Sequence, residues 1–325
     1  MTGLRSDHDR DRGAKEAARS GPDGTRRLLG GSRRQKDVAA RLVYQLPLRA
    51  RRHLMYLLFM RKRGHLRKPR TFNEKVNWRI IHDRRPLLIW ACDKLQVKQE
   101  AARRGIKTAT VFWSGTDLAE LATVDLPDDW VLKPTHRSRR VHFGSGPVIP
   151  ADIEALRRLT HGWLRDVQGA GKGEWGYSQA QHVFLVEGRL GGNDPLVDYR
   201  LYTYEGDVRF IQVIHDVNRT GRSAPVSRYY TSDWEPLEVR RLVKIGPVIP
   251  RPATFDEMLR IAKAVGSPFD FVRIDVYDVD GEVCLGEVTT YPGGGLIPFI
   301  PPDFDLELGE PWRLPELDRQ GRSLT

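Results

Sequence analysis

The sequence predicts an α+β protein in which antiparallel hairpins are interrupted by helices. Residues 37–105 have helical periodicity, whereas the chain beyond Gly105 breaks into short β-branched and aromatic runs bounded by Gly, Pro and Asp. These runs are TATVFW, WVLKP, HVFLVEG, DYRLYTYEG, VRFIQVIHD, FVRIDVYD and EVCLGEV. Helical segments lie between them at about 116–123, 150–166 and 254–266, a pattern that favours α+β over a regular βαβ repeat.

The N-terminal part divides into two segments. Residues 1–36 are rich in Gly, Arg and Asp without apolar periodicity, which predicts a disordered basic leader. Residues 37–105 are predicted to form a helical region, whose first helix breaks at Pro47 and runs to about residue 63. The next helix begins after Thr71, which has Glu74 three residues later in the capping-box arrangement.

A third helix is predicted from Pro86 in its first turn to Gly105, because glycine is the usual residue just beyond a helix end. The remaining residues, 106–325, are predicted to form the main α+β unit. They contain no internal repeat and no low-complexity tract.

Composition limits the class of protein. A chain of 325 residues with 40% apolar and 9% aromatic residues is typical of a globular protein with a sizeable core. Its two cysteines, Cys92 and Cys284, match no zinc-binding spacing and indicate a reducing, cytoplasmic environment. No apolar run reaches the roughly 20 residues of a membrane span, and the N-terminus lacks the apolar segment of a secretory signal.

The net charge of +11 is concentrated at the N-terminus. Residues 1–70 contain 20 Lys and Arg against 6 Asp and Glu, which gives +14 and leaves −3 for the rest of the chain. No nucleic-acid-binding module accompanies this basic arm, so specific nucleic-acid binding is not expected. Weak association with an anionic membrane surface is one alternative, because Leu54, Leu57 and Leu58 have helical spacing among cations. The simpler alternative is a helix that packs its apolar side on the body.

Residues 273–288 are predicted to form an acidic hairpin, with the sequence RIDVYDVDGEVCLGEV. The type of its loop determines which carboxylates lie close together. A two-residue loop at Asp280-Gly281 would place Asp275 and Glu287 on opposite faces. A three-residue loop at 279–281, with glycine in the left-handed conformation, makes the two acids diagonal neighbours on one face.

The alternation of apolar side chains favours the three-residue loop. Val272, Ile274 and Val276 then share an apolar face, while Arg273 lies on the acidic face opposite Glu287. Two carboxylates on neighbouring strands beside a cation suit a divalent ion whose shell is completed by phosphate oxygens and water. The alternative is a solvated face with an ordinary cross-strand ion pair.

Two further strands end in charged residues. DWVLKP ends with Lys133, which could reach a nucleotide phosphate, although a lysine that leaves a strand for solvent is more common. HVFLVEGRL places Glu187 after four apolar positions, and free backbone at 188–190 would suit an adenine or a ribose. Each signal alone is unspecific, since an acid often marks the end of a strand.

In this order, Lys133, Glu187, Asp275 and Glu287 resemble the ATP-grasp superfamily. The motifs TFNEKVNW, CDKLQVK, VLKPTH, VDYRLYTYEGDV, FDFVRIDVY and LGEVTTYPGGG are similar to its teichuronopeptide-synthesis (TupA-like) branch, over about residues 66–312. The resemblance implies an ATP-grasp fold, with a nucleotide-gripping subdomain at about 130–200 and a second subdomain with the metal hairpin at about 201–312.

The resemblance also implies an activity. It is that of an ATP- and Mg²⁺-dependent amidoligase, which joins a carboxylate to an amine through an acyl phosphate in cell-surface polysaccharide, peptide or natural-product biosynthesis. The acceptor would be a small molecule, glycan or peptide that carries the carboxylate.

The resemblance assigns roles to individual residues. ATP would be bound by Lys133 at the phosphates, by Glu187, Arg189 and Leu190 at the adenosine, and by Asp198 at the ribose. Mg²⁺ would be held by Asp275, Glu287 and Thr289. The catalytic candidates are Arg200, where the branch usually has lysine, and Arg273, which would contact phosphate or acyl phosphate while it fixes Glu287. Backbone N–H groups at 293–295 would approach an anionic acyl phosphate.

One segment departs from the family pattern. The branch tends to have a glycine-containing loop after Lys133, whereas this chain has THRSRR at 135–140. One interpretation is that Arg137 and Arg139 bind phosphate through their side chains, with flexibility supplied by glycines further on. The alternative is a catalytically impaired relative that acts as a nucleotide- or glycan-binding scaffold.

Overall fold

The computed structural model describes residues 43–138, 140–165, 172–191, 196–215 and 225–324. The predicted leader at 1–36 and the first residues of the helical region, 37–42, lie outside these ranges.

The N-terminal described part is helical, as predicted. Its helices are α1 (Leu48–Met60), α2 (Phe72–His82), α3 (Leu87–Cys92) and α4 (Lys94–Arg103). The break at Pro47 is confirmed, because α1 starts at the next residue. The capping box is also confirmed: the N–H of Glu74 donates to the Thr71 hydroxyl over 3.4 Å, and the N–H of Thr71 donates to the Glu74 carboxylate over 3.2 Å.

The predicted single helix at 86–105 is wrong, because α3 and α4 are separate. Asp93 lies between them with extended backbone (φ −104°, ψ 106°), and its carboxylate accepts bonds from the N–H groups of Leu95 and Gln96 at the start of α4. The same carboxylate accepts a 3.0 Å bond from the N–H of Gln181. A capping side chain that is also held by a distant segment therefore ends one helix and begins the next.

Two antiparallel sheets form the rest of the molecule, which confirms the α+β class. The first has the order β1-β4-β2-β3 and consists of β1 (Val111–Gly115), β2 (Asp129–Pro134), β3 (His142–Ser145) and β4 (Phe184–Gly188). A 3₁₀ helix (Leu118–Thr123) and α5 (Pro150–Leu159) pack on it. The short helix α6 (Trp175–Gln179) instead lies against Leu88 and Cys92 of α3.

The second sheet has the order β11-β10-β5-β6-β7-β8, and β9 pairs in parallel with β7. Its strands are β5 (Asp198–Tyr204), β6 (Asp207–His215), β7 (Val226–Thr231), β8 (Pro236–Leu237), β9 (Lys244–Ile245), β10 (Val272–Val279) and β11 (Glu282–Thr289). The remaining elements are α7 (Phe255–Gly266), a 3₁₀ turn (Pro292–Gly295) and α8 (Phe304–Gly309).

The two faces of the second sheet differ in chemistry. One face packs on α7, where Met258 and Ile261 join Leu201 and Ile274 in a buried apolar cluster. The opposite face is apolar only near α2, where aromatic side chains form a second cluster. The other part of that face is polar, and it carries half of the predicted site residues.

Helix α1 packs on the body through Met55 and Tyr56, both buried, while Leu57 is exposed. This supports the simpler of the two alternatives for the apolar side of the basic arm. None of the described helices is both long enough and apolar enough to cross a membrane.

Candidate functional site

The hairpin loop between β10 and β11 has two residues. Val279 pairs with Glu282, and the intervening Asp280 and Gly281 have φ values of 54° and 82°, as in a type I′ turn. The predicted three-residue loop is therefore wrong. Aspartate tolerates the left-handed conformation better than most residues, and Asp-Gly is a favoured sequence for this turn.

A β-bulge nevertheless brings the two carboxylates together. Val276 pairs with Leu285, but the register then shifts, and Asp275 lies directly opposite Glu287. Gly286 is the extra residue of this bulge. The predicted proximity of Asp275 and Glu287 on one face is thus confirmed, and its cause is the bulge rather than the loop.

On the same face, polar side chains extend from this pair across the sheet. Asp275 pairs with Arg200 of β5, and Arg200 pairs with Gln212 of β6. Directly paired residues project their side chains to one side of a sheet. Glu287, Asp275, Arg200 and Gln212 therefore form a continuous polar row over four strands.

Arg273 binds Asp275 rather than Glu287. Its Nε and Nη2 atoms each donate to a different oxygen of Asp275 over 2.6 Å, and Nη2 also donates to the Thr289 hydroxyl over 3.1 Å. The predicted fixing of Glu287 by Arg273 is wrong, because the bulge places Thr289, not Glu287, opposite Arg273. Arg273 therefore links two of the three predicted metal ligands.

Acids and cations alternate along this face. Arg200 donates to Asp198 over 2.7 and 2.9 Å and lies 3.7 Å from Asp275. Burial raises the pKa of Asp275 to about 6, although the charges of Arg273 and Arg200 oppose the shift. The Oδ1 atom of Asp198 is buried without a hydrogen-bond partner in the described part of the chain. An acceptor oxygen of this kind is available to a ligand hydroxyl.

The first sheet carries a second ionic cluster. Lys133 of β2 lies 2.5 Å from one oxygen of Glu187 at the end of β4, and Lys98 of α4 lies 2.9 Å from the other. Burial alone would raise the pKa of Glu187, but the two lysines outweigh it and hold the pKa below its usual value. Lys98 was not singled out from the sequence, although it lies one helical turn after Lys94 in the motif CDKLQVK.

Lys94 connects this cluster with the segment that replaces the glycine loop. Its Nζ donates to the backbone carbonyls of Arg137 over 2.7 Å and Thr135 over 3.4 Å. Burial lowers the pKa of Lys94, and the charge of Glu287 is the largest opposing effect.

The adenosine-side predictions need one correction. The N–H groups of Gly188 and Arg189 donate to backbone carbonyls of Thr110 and Asp129, so these two donors of the predicted stretch 188–190 are not free. Both N–H groups are therefore engaged, one with the residue before β1 and the other with the first residue of β2. The guanidinium of Arg189 lies 5.2 Å from the ring centroid of Phe143, and Leu190 follows the end of β4.

Arg137 and Arg139 were predicted to bind phosphate through their side chains. Arg137 is 5% exposed and lies beside His136, whose ring stacks on His182 with centroids 3.9 Å apart. Arg139 lies outside the described residues.

The glycine turn at 292–295 is held by an arginine that the sequence analysis missed. Arg52 of α1 is fully buried, donates over 2.6 and 2.9 Å to the amide oxygen of Asn77, and donates over 2.5 Å to the carbonyl of Gly294. Asn77 in turn donates over 2.8 Å to the carbonyl of Gly295. Burial lowers the pKa of Arg52 to about 10.

The donor set decides which metal the hairpin fits. No group of three or more His, Cys, Asp and Glu side chains converges within the described ranges. Asp275, Glu287 and Thr289 offer two carboxylates and a hydroxyl, fewer oxygens than the octahedral shell of Mg²⁺ requires. They fit Mg²⁺ that takes its other ligands from phosphates and water, but not a metal held by protein alone.

Comparison with known proteins adds a family match. The family model described as TupA-like ATPgrasp matches residues 74–313. None of the curated proteins matches the chain in sequence.

Three similar solved structures are ligases. D-alanine–D-alanine ligase from Bacillus anthracis is 19% identical, with 62% of this chain and 57% of that chain covered and a TM-score of 0.37. The Helicobacter pylori enzyme of the same name is 15% identical, with 69% and 61% covered and a TM-score of 0.40. L-amino acid ligase from Bacillus licheniformis is 15% identical, with 63% and 41% covered and a TM-score of 0.41. The chain thus spans less than two thirds of each.

Proposed function

The chain belongs to the TupA-like ATP-grasp family, and from this premise we propose that it is an ATP- and Mg²⁺-dependent carboxylate–amine ligase. One observation carries the proposal: Asp275 and Glu287 are direct cross-strand partners in a row that also contains Arg200. This face of the sheet offers both carboxylates that can bind a hard cation and a guanidinium that can bind phosphate. Phosphoryl transfer needs both kinds of group.

Lys133 and Lys98 support the nucleotide side of the proposal. Both lie within ion-pair distance of the Glu187 carboxylate. If Lys133 breaks its ion pair with Glu187 and pairs with a phosphate group, Lys98 still neutralises Glu187. The buried carboxylate therefore keeps a cationic partner. Glu187 then accepts hydrogen bonds from the adenosine, and the unpartnered Oδ1 of Asp198 accepts one from the ribose.

Asp275, Glu287 and Thr289 would hold Mg²⁺, which neutralises charge on the transferring phosphoryl group. For Asp275 to bind a metal, Arg273 must exchange at least one of its two hydrogen bonds to that carboxylate. Arg200 and Arg273 can then donate to phosphate oxygens, since a guanidinium offers several donors in one plane. These residues act by positioning and electrostatics, and no nucleophilic side chain is required.

The proposed reaction has two steps. An acceptor carboxylate oxygen attacks the γ-phosphorus of ATP, which releases ADP and leaves an acyl phosphate. The amine then attacks the acyl carbon, phosphate departs with the bonding electrons, and the amine loses a proton as the amide forms. In the turn that Arg52 holds, the backbone N–H groups of Gly293 and Gly295 are suited to approach the charged acyl phosphate, whereas the N–H of Gly294 donates to the carbonyl of Tyr291.

The acceptor is proposed to be a carboxylate on a small molecule, glycan or peptide used in cell-surface polysaccharide, peptide or natural-product biosynthesis. The direct test is ADP release from ATP and Mg²⁺ in the presence of paired amino acids and acidic saccharides, with mass spectrometry to find the amide. Amide formation that stops when EDTA removes Mg²⁺ supports the proposal.

A second candidate rests on the segment at 135–140. Arginines there replace the glycines that let backbone donors surround phosphates in the family pattern, which favours a scaffold that binds nucleotide without turnover. ATP binding in calorimetry together with no ADP release for any acceptor pair would favour the scaffold over the ligase.

A further inference from the structure

A cleft of about 350 Å³ lies outside the ATP-grasp site, between the end of α2, the start of α1 and the C-terminal residues 317–321. Trp78, His82 and Arg84 lie on its α2 side, and Arg49 and Arg319 are exposed. None of its lining residues belongs to the two ionic clusters. Arg49 and the C-terminal segment also lie outside the residues that the family model matches.

The C-terminal wall of the cleft is fixed to α2. The N–H of Arg84 donates to the carbonyl of Gly321 over 2.7 Å, and a Cβ added at Gly321 would lie 2.2 Å from the carbonyl oxygen of His82. With φ of +80°, Gly321 occupies backbone space that other residues rarely adopt. The cleft is therefore a built feature and not a loose end of the chain.

The charge of the cleft is positive. Its one carboxylate, Asp318, accepts bonds from Arg322 Nε over 3.0 Å and from two backbone N–H groups, at Gln320 and Arg322. Arg49, Arg84 and Arg319 form no ion pair with a carboxylate anywhere in the described ranges. The guanidinium of Arg84 is occupied by backbone carbonyls and the Trp175 ring. Arg49 and Arg319 are therefore the cations available to an anion in the cavity, whose only acid is already neutralised.

The cleft also has an aromatic side. The rings of Trp78 and His82 lie with centroids 5.3 Å apart at an interplanar angle of 38°. Arg84 is held in place, because it donates to the carbonyl of Asp83 over 2.7 Å and to the carbonyls of Ile80 and Ile81 over 3.2 and 3.3 Å. Burial and the charges of Arg49 and Arg84 lower the pKa of His82, consistent with cations close to the ring.

We propose that this cleft binds a small anion that carries a ring, such as a carboxylated or phosphorylated monosaccharide. Guanidinium groups pair with carboxylate and phosphate oxygens, and an indole packs against the apolar face of a ring. The volume lies at the lower end of the range for small-molecule pockets, about 300–1,000 Å³. Binding uses no residue of the ATP-grasp site, so it requires neither ATP nor Mg²⁺.

Calorimetric titration of the full chain without nucleotide tests the proposal. The probes are glucuronate, glucose 6-phosphate, inorganic phosphate and neutral glucose. We expect saturable binding of the two charged sugars, weaker binding of phosphate and no binding of glucose. The proposal is overturned if neither charged sugar binds up to about 10 mM, a concentration that would detect millimolar affinity. Phosphate that binds as tightly as the charged sugars would refute the contact with the ring.

Variants locate the binding. Arg49→Glu and Arg319→Glu change exposed side chains, so the fold is expected to persist, and each should weaken charged-sugar binding about ten-fold or more. Arg209→Glu, an exposed arginine on β6, is the matched control and should bind like the wild type. Trp78→Ala should weaken binding of the sugars but not of phosphate. Unchanged affinity in both charge-reversal variants would show that the anion binds elsewhere and would overturn the proposal.

Discussion

Asp275 and Glu287 are direct cross-strand partners although the two-residue loop that joins their strands would by itself place them on opposite faces. The bulge at Gly286 shifts the register by one residue and restores their proximity. The proposed metal site therefore depends on a glycine that does not itself offer a ligand.

Gly286→Ala should separate the two carboxylates. A Cβ at this position would lie 2.4 Å from the Tyr277 ring and 3.3 Å from the carbonyl oxygen of Asp275. Overpacking of this kind costs about 1–3 kcal/mol of unfolding free energy. Displacement of Glu287 should also lower the rate of ADP formation about 100-fold, since an error of about 1 Å in a reacting geometry has that effect.

The control for this variant is Gly286→Ala combined with Tyr277→Ala, which removes the ring that the methyl group meets. We expect the double variant to regain part of the stability in urea unfolding. A Gly286→Ala protein with wild-type stability and unaltered Mg²⁺ dependence would show that the bulge does not need glycine.

Lys98→Met should weaken ATP binding although Lys98 is not proposed to contact the phosphates. Without Lys98, the carboxylate of Glu187 is paired with Lys133 only. If Lys133 then moves to a phosphate, the buried carboxylate of Glu187 has no cationic partner, which is energetically costly. We expect about a ten-fold loss of affinity in calorimetry, which corresponds to about 1.4 kcal/mol.

The double variant Lys98→Met with Glu187→Gln tests the cause of that loss. If Lys98 acts through Glu187, the two changes should be non-additive by about 0.5 kcal/mol or more in a double-mutant cycle. Strict additivity would mean that Lys98 and Glu187 act on ATP independently.

Arg52→Met should destabilise the fold and disturb the glycine turn. The change leaves the amide oxygen of Asn77 and the carbonyl of Gly294 buried without this donor, and each such group costs about 1–3 kcal/mol. Urea unfolding should show the loss, whereas Arg63→Met, at an exposed position, should change stability by less than about 0.5 kcal/mol. Equal stability of the two variants would exclude a structural role for the Arg52 contacts.

Acid should destabilise the protein through Asp270. This carboxylate accepts bonds from Arg79 over 2.7 Å, Arg85 over 2.5 Å and the Trp312 indole over 2.6 Å. Burial alone would raise the pKa of Asp270, but the two arginines and the hydrogen bonds outweigh it and lower the pKa. A group with a lowered folded-state pKa stabilises the protein above its unfolded pKa, about 3.9 for Asp, and loses this contribution as pH falls through the folded value.

We therefore expect Asp270→Asn to reduce stability at pH 7 by about 1.5–3 kcal/mol, because it removes a charged acceptor from Arg79 and Arg85, which keep Asp83 as a second carboxylate partner. The variant should also show a smaller further loss between about pH 5 and pH 2 than the wild type. Asp128→Asn, at an exposed position, is the control. If the free energy of unfolding changes with pH in the same way in the wild type and in Asp270→Asn, Asp270 is not the source of the acid sensitivity.

Local signals in the sequence predicted much of the fold. The Thr71–Glu74 capping box, the break at Pro47 and the helix at Phe255–Gly266 depend on neighbouring residues and are found as predicted. The division of the 86–105 helix was missed because Asp93 is held by the N–H of Gln181, 88 residues away. No local pattern contains that contact.

The sequence predicted which residues form the site better than it predicted the contacts between them. Asp275 and Glu287 were expected together, but the loop was assigned incorrectly because Gly286 was not interpreted as a bulge. The inward apolar positions change phase at this glycine, from Val283 and Leu285 to Val288. Arg52 and Lys98 were missed because a lysine or arginine in a helix is usually solvent-exposed, and only the tertiary structure shows that both are buried.

Asp275 and Glu287 are proposed to bind Mg²⁺ together with ATP. Calorimetric titration with a non-hydrolysable ATP analogue, with and without Mg²⁺, tests this proposal without knowledge of the acceptor. Glu287→Gln is compared with Glu282→Gln, an exposed acid on the same strand that pairs with Lys107. We expect Mg²⁺ to tighten binding about ten-fold or more in the wild type and in Glu282→Gln but not in Glu287→Gln. Equal tightening in Glu287→Gln, or none in the wild type, would contradict it.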